Sequence, residues 1–145
     1  MVRIGEMAPD FDAPTQDGSR LKLSSLRGHP VVLYFYPEAD TPGCTTESKG
    51  FRDIYPQLQA KGVHVIGVST DSVDAQNAFC QKYHLPFPLV ADAGKQVGKE
   101  YGVLRPSGRA NRVTFFVDAH GKVQEIVENG SANPHVERAK ALYLS

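Results

Sequence analysis

The chain has no tryptophan, only two cysteines and two methionines among 145 residues, and no surplus of charge, with 16 Lys plus Arg against 16 Asp plus Glu. Each shortage excludes something. Two cysteines are too few for the disulfide framework of a small secreted domain. A net charge of zero argues against nucleic acid as a partner, because neutralising a phosphate backbone takes a basic surplus. The longest apolar run, Val31 to Tyr36, is about a third of a membrane span, so no membrane-spanning helix is expected. The N-terminal MVRIGEMAPD carries no hydrophobic signal segment, which makes the cytoplasm the expected compartment. In a reducing compartment Cys44 and Cys80 are not expected to staple the fold. By count alone they are two buried apolar residues, a reactive pair, or one of each.

What is present reads as an ordinary globular chain, 41% hydrophobic and 22% charged. A chain of about 150 residues buries roughly two-thirds of its unfolded surface. With no repeat, linker or low-complexity stretch, residues 1–145 are expected to form one domain. Pro9, Pro14, Asp17-Gly18 and Gly28 break the first thirty residues into short pieces. Asp17-Gly18 predicts a hairpin between residues 11–13 and 21–23. Beyond it the pattern alternates. VVLYFY (31–36) and VHVIGVS (63–69) read as strands buried on both faces. Phe51, Ile54, Tyr55 and Leu58 give a helical stripe, which Pro56 is expected to kink or shorten. A second helix is predicted over 71–83, capped by Asp71 or Ser72. A short strand at 87–92, a short helix at 94–101, a hairpin of 112–118 with 122–128 around His120-Gly121, and a closing helix at 133–143 complete the order. That order predicts an α/β fold: a central mixed sheet flanked by helices on both faces, with an N-terminal β-hairpin. A thioredoxin-like architecture is the simplest that fits.

The chemistry is expected at Cys44. It lies in YPEADTPGCTTE, just past the C-terminal end of the first buried strand, where open α/β sheets place their sites. Thr41 can cap the following helix with Pro42 at its first position, which puts Cys44 in the first turn. Unpaired backbone N–H groups and the helix dipole stabilise a thiolate there. A free thiol, with a pKa of about 8.5, is only a few per cent thiolate near neutral pH. The bland reading makes Cys44 a small apolar filler, but its Thr, Pro and Gly neighbours are not core-forming.

The segment Pro37-Glu-Ala-Asp-Thr41-Pro-Gly-Cys44 has the spacing Pro-x-x-x-Thr-x-x-Cys and resembles the active-site motif of the peroxiredoxins. FYPEADTPGCTTE is most similar to the branch called bacterioferritin comigratory protein or peroxiredoxin Q. The resemblance runs in order through GEMAPDF, VIGVSTDS, LPFPLVAD, KEYGV and RVTFFVDAHGKV, nearly the whole chain. It implies that Cys44 is the peroxidatic nucleophile, that Thr41 offers its hydroxyl to the peroxide, and that Pro37 shields the sulfur from water. Arg112 would stand beside the thiolate and the bound peroxide, with Glu47 holding the arginine. Donors aimed at the breaking O–O bond would then be Arg112, Thr41 and the backbone N–H of Gly43 or Cys44. Without the motif, Arg112 is a surface arginine at a strand start and Thr41 a plain cap.

The resemblance further implies hydrogen peroxide and organic hydroperoxides as substrates and thioredoxin or a similar dithiol as reductant. It implies no metal, flavin or haem, and a monomer. In many members of the branch a resolving cysteine lies five residues after the first, but that position here is Lys49. A second arrangement puts it in the next helix, where Cys80 falls, so Cys80 is the implied resolving residue. Spacing alone leaves Cys80 equally a half-buried helix cysteine in a one-cysteine peroxidase served by an external thiol. A non-enzymatic thioredoxin-like binding or holdase module is the rival from another class. The five histidines (29, 64, 84, 120, 135) have no metal-ligand spacing, and His84 and His120 read as helix-end or turn residues. Asp71 and Asp118 read as structural.

Overall fold

The computed structural model describes residues 1–145. Strands β1 (Asp12–Pro14) and β2 (Arg20–Lys22) pair as the small N-terminal hairpin, followed by a 3-10 turn at Leu23–Leu26. The main sheet uses β3 (Val31–Phe35), β4 (His64–Ser69), β5 (Leu89–Ala91), β6 (Val113–Val117) and β7 (Val123–Glu128), in the order β5-β4-β3-β6-β7. β3 pairs parallel with β4 and antiparallel with β6, so the sheet is mixed and β3 lies at its centre. Helices α1 (Pro42–Ala60), α2 (Val73–Tyr83), α3 (Gln96–Tyr101) and α4 (Asn133–Tyr143) complete the chain.

Period-two alternation along β3 sorts the core into two layers. Val31, Leu33 and Phe35 face one layer, covered by Phe11, Leu23, Val97 and Tyr101 from the N-terminal segment and α3. Val32, Tyr34 and Tyr36 face the other, with Phe51, Ile54 and Leu58 of α1, Phe79 of α2, and Val136 and Ala139 of α4. Tyr34 and Tyr36 are wholly buried and stack at 5.4 Å. Their hydroxyls still find partners: Tyr34 with Ser48 of α1 at 2.9 Å, and Tyr36 donating to Gln76 of α2 at 2.6 Å. Tyr34 on the central strand and Tyr36 just past its end therefore peg both helices that carry the cysteines.

Pro56 neither breaks nor shortens α1, which runs unbroken for 19 residues. Pro56 is exposed, so the carbonyl it frees lies toward water, while Phe51, Ile54 and Leu58 anchor the opposite side. The helix over 71–83 begins at Val73, and the Ser72 side chain accepts from the Ala75 N–H, the cap expected of it. His84 ends that helix in the left-handed conformation at φ 53°. No helix is long and apolar enough to cross a membrane.

Candidate active site

β3 ends at Phe35 and the chain crosses Tyr36 to Asp40 before α1 starts. Thr41 is the backbone N-cap, its carbonyl accepting from Thr45 N–H at 2.8 Å, with Pro42 at the first helical position. Its side chain does not cap. The Thr41 hydroxyl instead donates to the Glu38 carbonyl at 2.8 Å, which closes the loop on itself. The Gly43 and Cys44 N–H groups, which have no intrahelical acceptor, therefore stay free of a side-chain cap at the positive end of a 19-residue helix.

Cys44 is buried, 1% exposed, in the layer under Tyr34 and Tyr36. Arg112, in the residue before β6, reaches across from the neighbouring strand and donates from Nη2 to Cys44 Sγ at 3.5 Å. The guanidinium is held on its other edges as well: Nη1 donates to Glu47 Oε1 at 2.7 Å, and Nε to the Gly130 carbonyl at 2.9 Å. Glu47 is one helical turn below Cys44 on the same face of α1, so the i, i+3 spacing lets one arginine touch both. Fork geometry is what permits three partners at once.

Glu47 is itself wholly buried. Burial pushes its carboxyl up to about 8, against the downward pull of Arg112. Only Oε1 is hydrogen-bonded; Oε2 has no partner. His135 of α4, also fully buried, brings Nδ1 to 3.6 Å from that oxygen. Its ring is fixed by Thr114 Oγ1 on Nδ1 at 2.8 Å and by the Asn129 carbonyl on Nε2 at 2.8 Å. Burial above all, and the Arg112 charge, push the imidazole below its ordinary value. The contact with Glu47 is therefore not an ion pair.

Gly43 has a steric role beside its N–H. A Cβ there would lie 2.8 Å from Arg112 Nη2, and the guanidinium has no slack to retreat because three acceptors pin it. Gly43→Ala is expected to displace Arg112 from the sulfur and to slow the second-order reaction with hydrogen peroxide about tenfold. Stopped-flow rates on a variant whose melting temperature is unchanged check this.

Pro37 lies in the loop above, its carbonyl accepting from Arg109 Nη1 at 3.4 Å. Arg109 also pairs with Glu38 at 2.9 Å, while Asp71 accepts from the Ala39 N–H at 2.8 Å. Asp71 thus braces the loop, the structural role read for it. Asp118 does likewise in the β6–β7 turn, accepting from His120 and Lys122 N–H. Asp40, at φ 60°, ties the same loop to the end of α2 through Tyr83 Oη at 2.6 Å and Lys82 Nζ at 2.9 Å.

Cys80 is not among the groups gathered around Arg112. It sits partly exposed on α2, unbonded to Cys44, donating to the Leu85 carbonyl at 3.2 Å. Burial pushes its thiol above the ordinary range. Gln16, past the N-terminal hairpin's first strand, approaches its sulfur at 3.7 Å. Gln16, Thr114 and His135 carry no motif, and the spacing of His135 in the sequence gives no sign of its place beside Glu47. No group of three or more His, Cys, Asp or Glu side chains comes together to hold a metal.

The free helix-end N–H groups, the buried cysteine and the pinned arginine are found together with the fold and sequence of known proteins. The AhpC/TSA family profile matches residues 4–126. A putative peroxiredoxin Bcp of Coxiella burnetii is 42% identical over 142 residues, covering 93% of this chain and 94% of that one. Chloroplastic peroxiredoxin Q of Triticum aestivum is 44% identical over 132 residues, which is 88% of this chain but 60% of the wheat protein. Among solved structures, peroxidoxin BcpB of Mycobacterium tuberculosis superposes with a TM-score of 0.93 at 35% identity, covering 99% of this chain and 97% of that one. With profile, relatives and fold in agreement over almost the whole length, the chain belongs to the AhpC/TSA family, as a peroxiredoxin of the Bcp and Q type.

Proposed function

We propose that this thiol peroxidase works through Cys44 as the attacking sulfur and Cys80 as the resolving one. The observation that carries the reading is Arg112 donating to Cys44 Sγ at 3.5 Å inside a buried site. A guanidinium beside sulfur at a helix N-terminus favours the thiolate, and the same cation faces the charge that develops on the leaving oxygen. The thiolate attacks the terminal oxygen of hydrogen peroxide or an organic hydroperoxide. The S–O bond forms as the O–O bond breaks, the leaving oxygen takes a proton and departs as water or alcohol, and sulfur is left as sulfenic acid. Arg112 and the Gly43 and Cys44 N–H groups are the donors to the peroxide. Thr41, whose proton is committed to the Glu38 carbonyl, acts through its lone pairs as an acceptor from the peroxide O–H, and Pro37 limits water.

Cys80 then condenses with the sulfenic acid, forming the S–S bond and releasing water. A dithiol carrier of the thioredoxin kind reduces the disulfide. A disulfide needs Cα atoms within about 7 Å. In this scheme Cys80 gives up the Leu85 carbonyl and Gln16, and the first turn of α1 unwinds to let the two sulfurs meet. The setting is a reducing compartment, the cytoplasm, and the working unit a monomer. The large apolar side chains left exposed are Met1, Ile4 and Met7, all at the N-terminus.

One equivalent of hydrogen peroxide, followed by intact mass and peptide mapping, tests the scheme. Loss of two hydrogens with a linked 44–80 peptide is the expected result; Cys44 overoxidised with Cys80 free removes Cys80 from it. Cys80→Ser is expected to accumulate a sulfenic acid trappable by dimedone and to lose thioredoxin-driven turnover at least about tenfold. Retained turnover with thioredoxin would make this a one-cysteine enzyme.

A further inference from the structure

β3 and β4 run parallel and end side by side, with Phe35 opposite Val68. The segment after β4 therefore meets the active-site loop that follows β3. Asp71 stands at that meeting point. Its Oδ2 accepts from the Ala39 N–H at 2.8 Å and from the Ser69 hydroxyl at 2.7 Å. The side chain is only 12% exposed, and a hydrogen bond to a carboxylate largely out of water is a strong one.

The peptide unit between Glu38 and Ala39 is planar and trans, so fixing one of its polar groups fixes the other. Asp71 holds its N–H. Its C=O, pointing the opposite way, accepts from the Thr41 hydroxyl at 2.8 Å. With the hydroxyl proton committed to that carbonyl, the direction of the Thr41 lone pairs follows the orientation of the peptide plane.

Arg109 holds the preceding peptide. Its Nη1 donates to the Pro37 carbonyl at 3.4 Å, and its Nη2 pairs with the Glu38 carboxylate at 2.9 Å. Nη1 also lies 3.9 Å from Asp71 Oδ1, which links the two braces. The turn that presents Arg109 is closed by the Gly108 N–H on the Arg105 carbonyl at 2.9 Å and the Arg105 N–H on the Arg109 carbonyl at 2.8 Å. Arg112 follows in the same segment. One stretch of chain thus sends an arginine to each end of the Pro37–Cys44 segment, Arg112 to the sulfur and Arg109 to the loop. Arg109 is 44% exposed, so its charge counts for little. Its value is geometric, a fork that grips two groups of one loop.

Resting on the reading of Cys44 as the attacking sulfur and Thr41 as an acceptor for the peroxide, we propose that Asp71 and Arg109 are positioning residues for the peroxide: they fix the Pro37–Ala39 backbone and, through the Glu38 carbonyl, aim the Thr41 lone pairs. A peroxide whose O–H is held in one direction presents its terminal oxygen to the sulfur, and small errors of aim are expensive in rate. The thiolate itself is served by Arg112 and the helix end, so aim and ionisation separate in experiment.

The test compares two reactions of the reduced full chain at neutral pH: single-turnover consumption of hydrogen peroxide, and alkylation by iodoacetamide read at Cys44 by peptide mass. Alkylation requires the thiolate but not the peroxide-binding geometry. Asp71→Ala is expected to slow the peroxide reaction about tenfold and Arg109→Met about threefold, with alkylation of Cys44 unchanged in both. Asp71→Asn still offers an oxygen to the Ala39 N–H and is expected to recover most of the rate. Made in a Thr41→Val chain, Asp71→Ala is expected to cost no more than about twofold beyond Thr41→Val alone, because the group it acts through is gone.

Equal losses in the two reactions, or alkylation that speeds up, mean a loosened loop and overturn the proposal. A full tenfold loss in the Thr41→Val chain, or native peroxide rates in Asp71→Ala, overturn it too. If Asp71→Ala does not fold, Arg109→Met, a change at a half-exposed side chain, carries both comparisons. A native chain that is alkylated at Cys44 yet consumes no peroxide overturns the peroxidase reading and the proposal with it, whereas native turnover with unaffected variants overturns the proposal alone.

Discussion

Cys44→Ser is expected to reduce peroxide consumption to the background of the uncatalysed reaction, a loss on the order of 10⁴-fold or more. A serine hydroxyl fits the same buried space in the first turn of α1, so Arg112, Glu47 and the helix N-terminus stay in place. What disappears is a polarizable anion that can attack oxygen, since a hydroxyl is scarcely ionised at neutral pH even beside a guanidinium. Peroxide consumption followed with thioredoxin and its reductase present gives the rate, and a thermal melt checks that the fold is intact. Cys80 remains in that variant, so turnover at the native rate would mean that the chemistry lies elsewhere and would end the assignment of Cys44.

Arg112→Met is expected to be the second-largest loss. Removing a preorganised donor from a developing oxyanion costs about 10²–10³ in rate. The variant also tests stability, because Arg112 is only 8% exposed and satisfies Glu47 Oε1 and the Gly130 carbonyl. Stranding those acceptors costs about 1–3 kcal/mol each at most. The pH dependence has a definite sign. A carboxyl whose folded pKa lies above its unfolded value binds more protons in the folded state, so its contribution to stability falls as pH rises from the unfolded value, 4.5, through about 8. Without Arg112 the ionised form is even less tolerable, and the fall in stability continues to higher pH. Urea midpoints between pH 5 and 9 read it directly. Arg112→Lys, which keeps a charge but loses the fork, is expected to fall between the two, because one ammonium cannot reach Glu47, Gly130 and the sulfur together.

The site as a whole works by over-determination. Arg112 has three acceptors, Glu47 is clasped on one oxygen, and Gly43 leaves room for the guanidinium to approach. The side that carries Cys80 is held more loosely. Cys80 has a carbonyl and a glutamine near it, and α2 is linked to the active-site loop by exposed contacts of Asp40 with Lys82 and Tyr83. Exposed pairs of this kind contribute about 1 kcal/mol or less. A rigid site around Cys44 and a weakly latched Cys80 are what the proposed sequence of attack followed by rearrangement calls for.

Those differences bear on what was legible in the chain. Residue order alone indicated the two-layer α/β architecture, since period-two runs such as VVLYFY and the Phe51–Leu58 stripe are local patterns set by strand and helix geometry. The cysteine shortage likewise made Cys44 conspicuous, because helix-start chemistry is encoded in the few residues around TPGC. Pro56 was misleading as a breaker: a proline on the exposed side of a well-anchored helix removes a hydrogen bond that water replaces, and exposure is a tertiary property. The loop closure that turns the Thr41 hydroxyl to the Glu38 carbonyl has no signal in the motif. Only folding could bring Arg112 to Cys44, separated by 68 positions, or set His135 opposite a bare oxygen of Glu47. Such contacts depend on β6 lying beside β3 and on α4 packing against α1. Strand order and helix docking are decided by how the whole core fills, and no local run of residues specifies them.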